Sequence, residues 1–297
     1  MPNSTRNSIH SGLLRIGRLA LILSLSLTFT NCSGFVFKTF YRNLDTLIQS
    51  RMDNYLAMTD AQSDFVDSRI EYHYRWHRYG ELPRYAVVCE NLAKRIENGL
   101  KKDDLEYIYG QMRDSRIRLA RRVYPDASKF LKEFDPSLIG RQEQLIQEYN
   151  QELAEEVAQP ASERFQERLE SNIEFFEFFL GNLNEAQRKR IQRYTTQSTD
   201  ATGLYLAYRR MNQTRLLSLL QKGDQGHAEL DTFLKQYLFS WESLYPAAYR
   251  NAVYRNRSLF YDTVVDLDST MSSQQRSHAA SQVRELASNF LELAGKK

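Results

Sequence analysis

Residues 161–181 read ASERFQERLESNIEFFEFFLG. The apolar residues Phe165, Leu169, Ile173, Phe176 and Leu180 recur at intervals of four, four, three and four. An α-helix turns once in about 3.6 residues, so this spacing places all five on one face. A strand would require apolar and polar residues to alternate. Gly181 follows the last apolar position and suits a helix stop. The segment predicts a helix that buries a single stripe.

The same rhythm extends in both directions. Phe37, Phe40, Tyr41, Leu44, Leu47, Ile48 and Tyr55 predict a first helix, and Phe65, Arg69, His73, Trp76 and Gly80 a second. Tyr85, Cys89, Leu92 and Ile96 trace a third, closed by Asn98-Gly99. Leu105, Ile108, Tyr109 and Met112 lead towards Pro125, Phe130, Leu131 and Phe134 stop at Pro136, and Leu145, Tyr149 and Leu153 run towards Pro160. Beyond Gly181 the stripes continue through Tyr208, Phe233, Tyr249 and Phe260 to Val283, Leu286, Phe290 and Leu293. With only 12 Gly and 6 Pro, and no β-rich alternating run, punctuation between helices is sparse. The expected fold is all-α and bundle-like, with roughly a dozen helices.

Three helix starts share one signature. Met58-Thr59-Asp60-Ala61-Gln62, Leu183-Asn184-Glu185-Ala186-Gln187 and Met271-Ser272-Ser273-Gln274-Gln275 each place a capping oxygen three residues before Gln. Thr59, Asn184 and Ser272 can accept from the backbone of Gln62, Gln187 and Gln275, whose amides reach back to the cap. A hydrophobic staple is not expected, because its partner position holds Ser63, Arg188 and Arg276. The irregular spacing of the three copies argues against a solenoid repeat.

The first 31 residues differ from the rest. Their permanent charges are Arg6, Arg15 and Arg18, followed by the run LALILSLSLTF at 19–29. A run of about 11 residues is too short to span a bilayer, which takes roughly 20, and fits the apolar centre of a secretory signal. Thr28-Phe29-Thr30-Asn31-Cys32-Ser33-Gly34 then resembles a lipobox, departing from it at Phe29 and Asn31. The resemblance implies a lipoprotein signal peptide at 1–31 and a single helical domain at 32–297, tethered by acyl chains on Cys32. Ser33 after the cysteine leans towards the outer membrane, with the domain facing the periplasm.

Loss of those three arginines changes the charge balance. The whole chain carries 40 Lys and Arg against 37 Asp and Glu, so the remainder would be neutral. A neutral chain lacks the electrostatic footprint of a nucleic-acid binder. The expected partners are the membrane, through the anchor, and another envelope protein. Cys89 would remain as a lone cysteine, which excludes an intrachain disulfide and a cysteine zinc site. Tyr85, Val88 and Leu92 share its helical face, so a buried, inert thiol is expected.

The candidate chemistry centres on His73 and His77. They lie four apart on one helix face, with Glu81 one turn further, a spacing that suits two imidazole ligands and a third ligand or general base. A metalloprotease would need Glu directly after the first histidine, and Tyr74 stands there. Gly80 and Pro83 instead predict a kink or tight corner. Trp76, His77, Glu81, Leu82, Pro83 and Tyr85 are therefore read first as a structural motif.

The basic run Arg113, Arg116, Arg118, Arg121 and Arg122 is expected near a helix end, and Glu143, Glu148, Glu152, Glu155 and Glu156 form an acidic one. The two would pair or be solvated, unless the arginines meet anionic lipid head groups. Phe175, Phe176, Phe178 and Phe179 form a cluster that one face cannot hide, and exposed Tyr and Arg would suit a protein interface. No nucleophile elbow, Walker loop or dinucleotide fingerprint occurs, and no cofactor is implied.

Two stretches go beyond helix grammar. One is Phe40-Tyr41-Arg42-Asn43-Leu44-Asp45-Thr46-Leu47-Ile48 with Met52-Asp53-Asn54-Tyr55. The other is Arg75-Trp76-His77-Arg78-Tyr79-Gly80-Glu81-Leu82-Pro83-Arg84-Tyr85-Ala86. Together with the N-terminal signal they resemble a family of uncharacterised bacterial lipoproteins, domain of unknown function 6279. The likeness is densest from Phe40 to Ala86 and returns at 246–250 and 272–276. Thr46 departs from it, at a position where an aromatic is expected. The boxed helix starts are also similar to the Leu-Thr-x-x-Gln motifs of small helical periplasmic chaperones of the Spy type, over a few residues per copy. The chain is thus expected to be a non-catalytic binding protein, whether adaptor, assembly factor or chaperone-like. The alternative is a metal-dependent or hydrolytic envelope enzyme around His73, His77 and Glu81.

Overall fold

The computed structural model describes residues 33–295, so the signal segment and Cys32 lie outside the described residues. Twelve α-helices occur among the described residues: α1 (Ser33–Arg42), α2 (Leu44–Tyr55), α3 (Asp60–Trp76), α4 (Leu82–Asn98), α5 (Lys102–Lys132), α6 (Ile139–Ala158), α7 (Ala161–Leu180), α8 (Glu185–Gln197), α9 (Thr202–Gln221), α10 (His227–Phe239), α11 (Ala247–Asp268) and α12 (Ser273–Leu293). No strand is found among them, and no helix is long and apolar enough to cross a membrane. The fold is all-α.

The segment 161–180 forms α7, whose Phe176 and Leu180 are buried and whose Leu169, Ile173 and Phe179 lie against the same cluster. Gly181 ends it at φ 69°, a left-handed conformation that a side chain would resist. Phe175, the residue that the stripe cannot hide, stays 41 % exposed and meets the Phe260 ring edge-on.

Two expected boundaries move. The first helix divides at Asn43 into α1 and α2, and the Asn43 amide donates to the Thr39 carbonyl. The helix expected to end near Pro125 runs through it to Lys132. An interior proline costs about 3 kcal/mol by removing a hydrogen bond and crowding the preceding turn. Tertiary contacts on both sides of it hold α5 in line: Tyr124 donates to Asp231 of α10, and Asp126 bonds His73 of α3. The basic run consequently lies in the middle of α5 rather than near its end.

The main core joins α4, α7, α8, α11 and α12 through Ala93, Ile96, Phe176, Ile191, Leu267 and Val283. Small residues Ala93, Ala279 and Ala280, at most 2 % exposed, let α12 lie closely along α4. Arg276 locks this layer, donating to the Ile96 carbonyl at the end of α4 and gripping buried Asp268 at the end of α11. A cation belongs at such carbonyl-rich helix ends. A second core, with Phe130, Phe134, Leu219, Leu230 and Phe233, joins α5, α9 and α10. A third gathers Tyr41, Leu82 and Leu293 where α1, α4 and α12 meet.

Candidate functional site

Pro83 has no N–H and cannot sit in a regular helix interior without loss. Here the backbone widens. The Leu82 N–H donates to the His77 carbonyl, five residues back, and His77–Glu81 form a single π-helical turn. The expected corner is therefore a bulge inside one rod, and α3 continues into α4 without a break. Such bulges re-aim side chains inside a helix and are frequent at functional sites.

His77 and Glu81 both turn inward, towards different partners. His77 sits between two phenols, its Nδ1 2.8 Å from the Tyr41 hydroxyl and its Nε2 3.2 Å from that of Tyr85. Burial keeps the imidazole below its ordinary pKa, opposed by the charge of Glu81. Burial likewise pushes the Tyr41 and Tyr85 phenols up. Glu81 is 1 % exposed. Arg118 of α5 donates to both of its oxygens, with Nε at 3.0 and 3.1 Å and Nη2 at 2.8 Å, and Ser115 adds a bond at 3.2 Å. A buried carboxylate needs such a partner, because its desolvation is otherwise uncompensated. Arg78 donates to the Leu293 carbonyl at 2.6 Å and ties the bulge to the end of α12.

His73 faces another way. Its Nε2 lies 2.7 Å from Asp126 Oδ2, and Arg69 Nε approaches the same oxygen at 2.9 Å. Burial is the main reason its pKa is lowered, against the raising effect of Asp126. Its Nδ1 is buried without a hydrogen-bond partner. Asp126 was not singled out by motif or spacing; it reaches His73 because α5 passes through Pro125. The structure does not bring His73, His77 and Glu81 together as a ligand set, since each is engaged separately. No group of three His, Cys, Asp or Glu suited to a metal ion occurs among the described residues.

Beside this polar group lies a cleft between α2, α3 and α5, with a volume of about 420 Å³. Ile48, Met52, Phe65, Ile70, Leu119, Val123 and Phe130 supply most of its walls. Leu119, Val123, Asp126, Ala127 and Phe130 recur at helical spacing along one face of α5, and His73 and Arg69 close one side with Asp126. An Asp–His pair could orient a base, yet no Ser, Thr or Cys is among the residues lining the cleft. The volume falls within the range of ligand pockets.

The other residues of interest take structural places. Thr59 and Gln62, Asn184 and Gln187, and Ser272 and Gln275 each form a reciprocal capping box. Cys89 is partly buried against the main core, and burial pushes its thiol up to about 11. From the basic run, Arg118 takes Glu81, and Arg116 lies 3.7 Å from the centre of the Trp241 ring.

Fold and site together define an all-helical protein with a polar bulge in its central rod and an open apolar cleft alongside. The chain belongs to a family of unknown function, DUF6279, whose model matches residues 54–250. The match begins near the end of the first resembling stretch and contains the whole of the second. No curated protein and no solved structure matches the chain.

Proposed function

We propose that this is a lipid-anchored envelope protein that acts by binding, and that the cleft between α2, α3 and α5 receives apolar side chains from a helix of a partner protein. One observation carries the reading. A space of about 420 Å³, walled mainly by Leu, Ile, Met, Val and Phe, stays open to solvent beside Leu119, itself 38 % exposed. Open apolar surface is costly in water and marks interaction sites. Amphipathic helices dock into such grooves through a few large anchors on one face. The partners held by His77 and Glu81 favour binding over catalysis, since neither group is free to act as ligand or base. Anchoring through Cys32 would place the tether directly before α1, which starts at Ser33.

The test is a photoreactive residue at position 119 in the anchored protein, crosslinked in living cells and read by mass spectrometry. Recurrent capture of one or two envelope proteins supports an adaptor or assembly factor, whereas many unrelated proteins support a chaperone-like role. Capture from a photoreactive residue at exposed Val87, with none from position 119, would sink the cleft as the docking site. Fractionation of a Cys32→Ser variant tests the anchor separately, with release from the membrane as the expected result.

A further inference from the structure

A second depression, of about 330 Å³, opens on the other side of the α3–α5 seam, beside the π-turn. Arg84, Arg118, Arg121 and Arg122 line it with Trp76, Gly80 and Glu81. Four guanidinium groups thus face one carboxylate. That carboxylate is already committed, because Glu81 lies under Arg118 and Ser115. Arg84 comes no closer than 3.7 Å to it and is 64 % exposed.

The two remaining arginines have no acidic counterpart. Among the described residues, neither Arg121 nor Arg122 has an ion-pair partner; other arginines of the chain also lack one, but these two share a single hollow with Arg84 and Arg118. Arg122 is also held in place. Its guanidinium lies 4.2 Å from the centre of the Tyr72 ring and 5.8 Å from that of Trp76, while its Nε is buried without a hydrogen-bond partner. Like charges gathered in one hollow repel one another, so the arrangement is stable only if the fold or an anion compensates. Here the helix rod, the stacking on Tyr72 and the Glu81 pair supply the frame, and three positive charges are left over.

We infer that this hollow binds a phosphate group. One arginine saturates a carboxylate, as Arg118 does for Glu81. Several planar forks around one hollow, with Arg122 held by its ring contacts, suit a tetrahedral oxyanion, whose oxygens point to several donors at once. Gly80 adds no side chain over the floor. The phosphate is either free or part of a lipid headgroup, and the chemistry of recognition is shared by both. The site is separate from the apolar cleft, and its failure would leave the cleft reading intact.

The experiment is calorimetric titration of the purified full-length protein with inorganic phosphate, and in parallel with short-chain phosphatidylglycerol. The double variant Arg84→Gln, Arg121→Gln is compared with it, since both side chains are exposed and neither is needed to hold Glu81. Binding of either probe is expected, with affinity at least about tenfold weaker in the double variant, the effect of losing one charge-assisted hydrogen bond or more. Acetate at equal concentration should not compete. Binding of inorganic phosphate points to a free source. Binding of the lipid alone points to a headgroup. Neither probe binding, equal affinity in a double variant with an unchanged melting temperature, or equal competition by acetate would each overturn the inference. Should the double variant fail to fold, Arg121→Gln alone replaces it under the same criterion.

Discussion

Gln187 and Gln275 exchange two amide hydrogen bonds, each donating to the other's side-chain oxygen at 3.1 Å. Each also closes its own capping box, three residues after the cap, so its oxygen accepts from the backbone of Asn184 or Ser272. Gln187 is fully buried, and Gln275 donates further to the Asn182 carbonyl. Two helix starts 88 residues apart in sequence are thereby clamped together.

Replacement of either glutamine by Ala should leave buried amide groups unpaired and cost about 2 kcal/mol. The double replacement should cost less than the sum by about 1 kcal/mol, because the partners share one network. Gln62→Ala is the comparison: its box donates outward to the Glu133 carbonyl, and it should cost about 1 kcal/mol. Urea unfolding of the four variants measures this, and strict additivity would show that the clamp contributes nothing.

The π-turn tolerates proline because Leu82 already bonds five residues back. Pro83→Ala should change stability by less than about 1 kcal/mol, since the ring sits in the first turn of α4. Val87→Pro, one turn further at an exposed position, should cost about 3 kcal/mol or more. Similar losses in the two variants would mean that the bulge does not accommodate the ring.

Arg118→Met should destabilise by about 3 kcal/mol, because Glu81 would remain buried without its partner. Adding Glu81→Leu should recover most of the loss. Denaturant midpoints of the single and double variants decide the matter, and a double variant no more stable than the single would show that Glu81 matters for more than its charge.

Two kinds of group contribute to the acid sensitivity in different pH ranges. Burial holds His73 and His77 neutral below their ordinary value of 6.5, so the unfolded chain takes up those protons first. Their contribution is present above 6.5 and is lost as pH falls towards their lowered values. Asp231 behaves as a depressed carboxylate: the hydrogen bond from Lys235, with that from Tyr124, holds it at about 2 against an ordinary 3.8. Its contribution is present above 3.8 and is lost as pH falls towards 2. Melting temperature against pH should fall in two stages, and His77→Gln should shrink the first, leaving the part due to His73, without changing the second.

Ala127 lines the apolar cleft. Ala127→Leu should fill part of it and raise stability by about 1–2 kcal/mol through the added buried methylenes. The same change should reduce crosslinking from position 119. Gain in stability with unchanged capture would make the cleft a packing vacancy rather than a docking site.

Much of the fold is legible in the sequence. Period-3.6 stripes such as Phe165 to Leu180 carry their own evidence, because a helix face is a local property of spacing. The capping boxes were legible for the same reason, since Thr59, Asn184 and Ser272 need only residues three positions away. The candidate site was only half visible. His73, His77 and Glu81 stood out by spacing, but spacing does not record what approaches from another helix, and Asp126, Tyr41 and Arg118 are those approaches.

Sequence alone therefore determined the helical class and the three capped helix starts, whose interactions span only a turn or two of chain. Tertiary structure decided the rest. It carried α5 through Pro125, turned Pro83 from a corner into a bulge, assigned His73 and His77 to different partners and joined Gln187 to Gln275. The physical reason is range: backbone hydrogen bonds and capping act between near neighbours in sequence. Burial, ion pairing and the opening of a cleft depend on which distant surfaces meet.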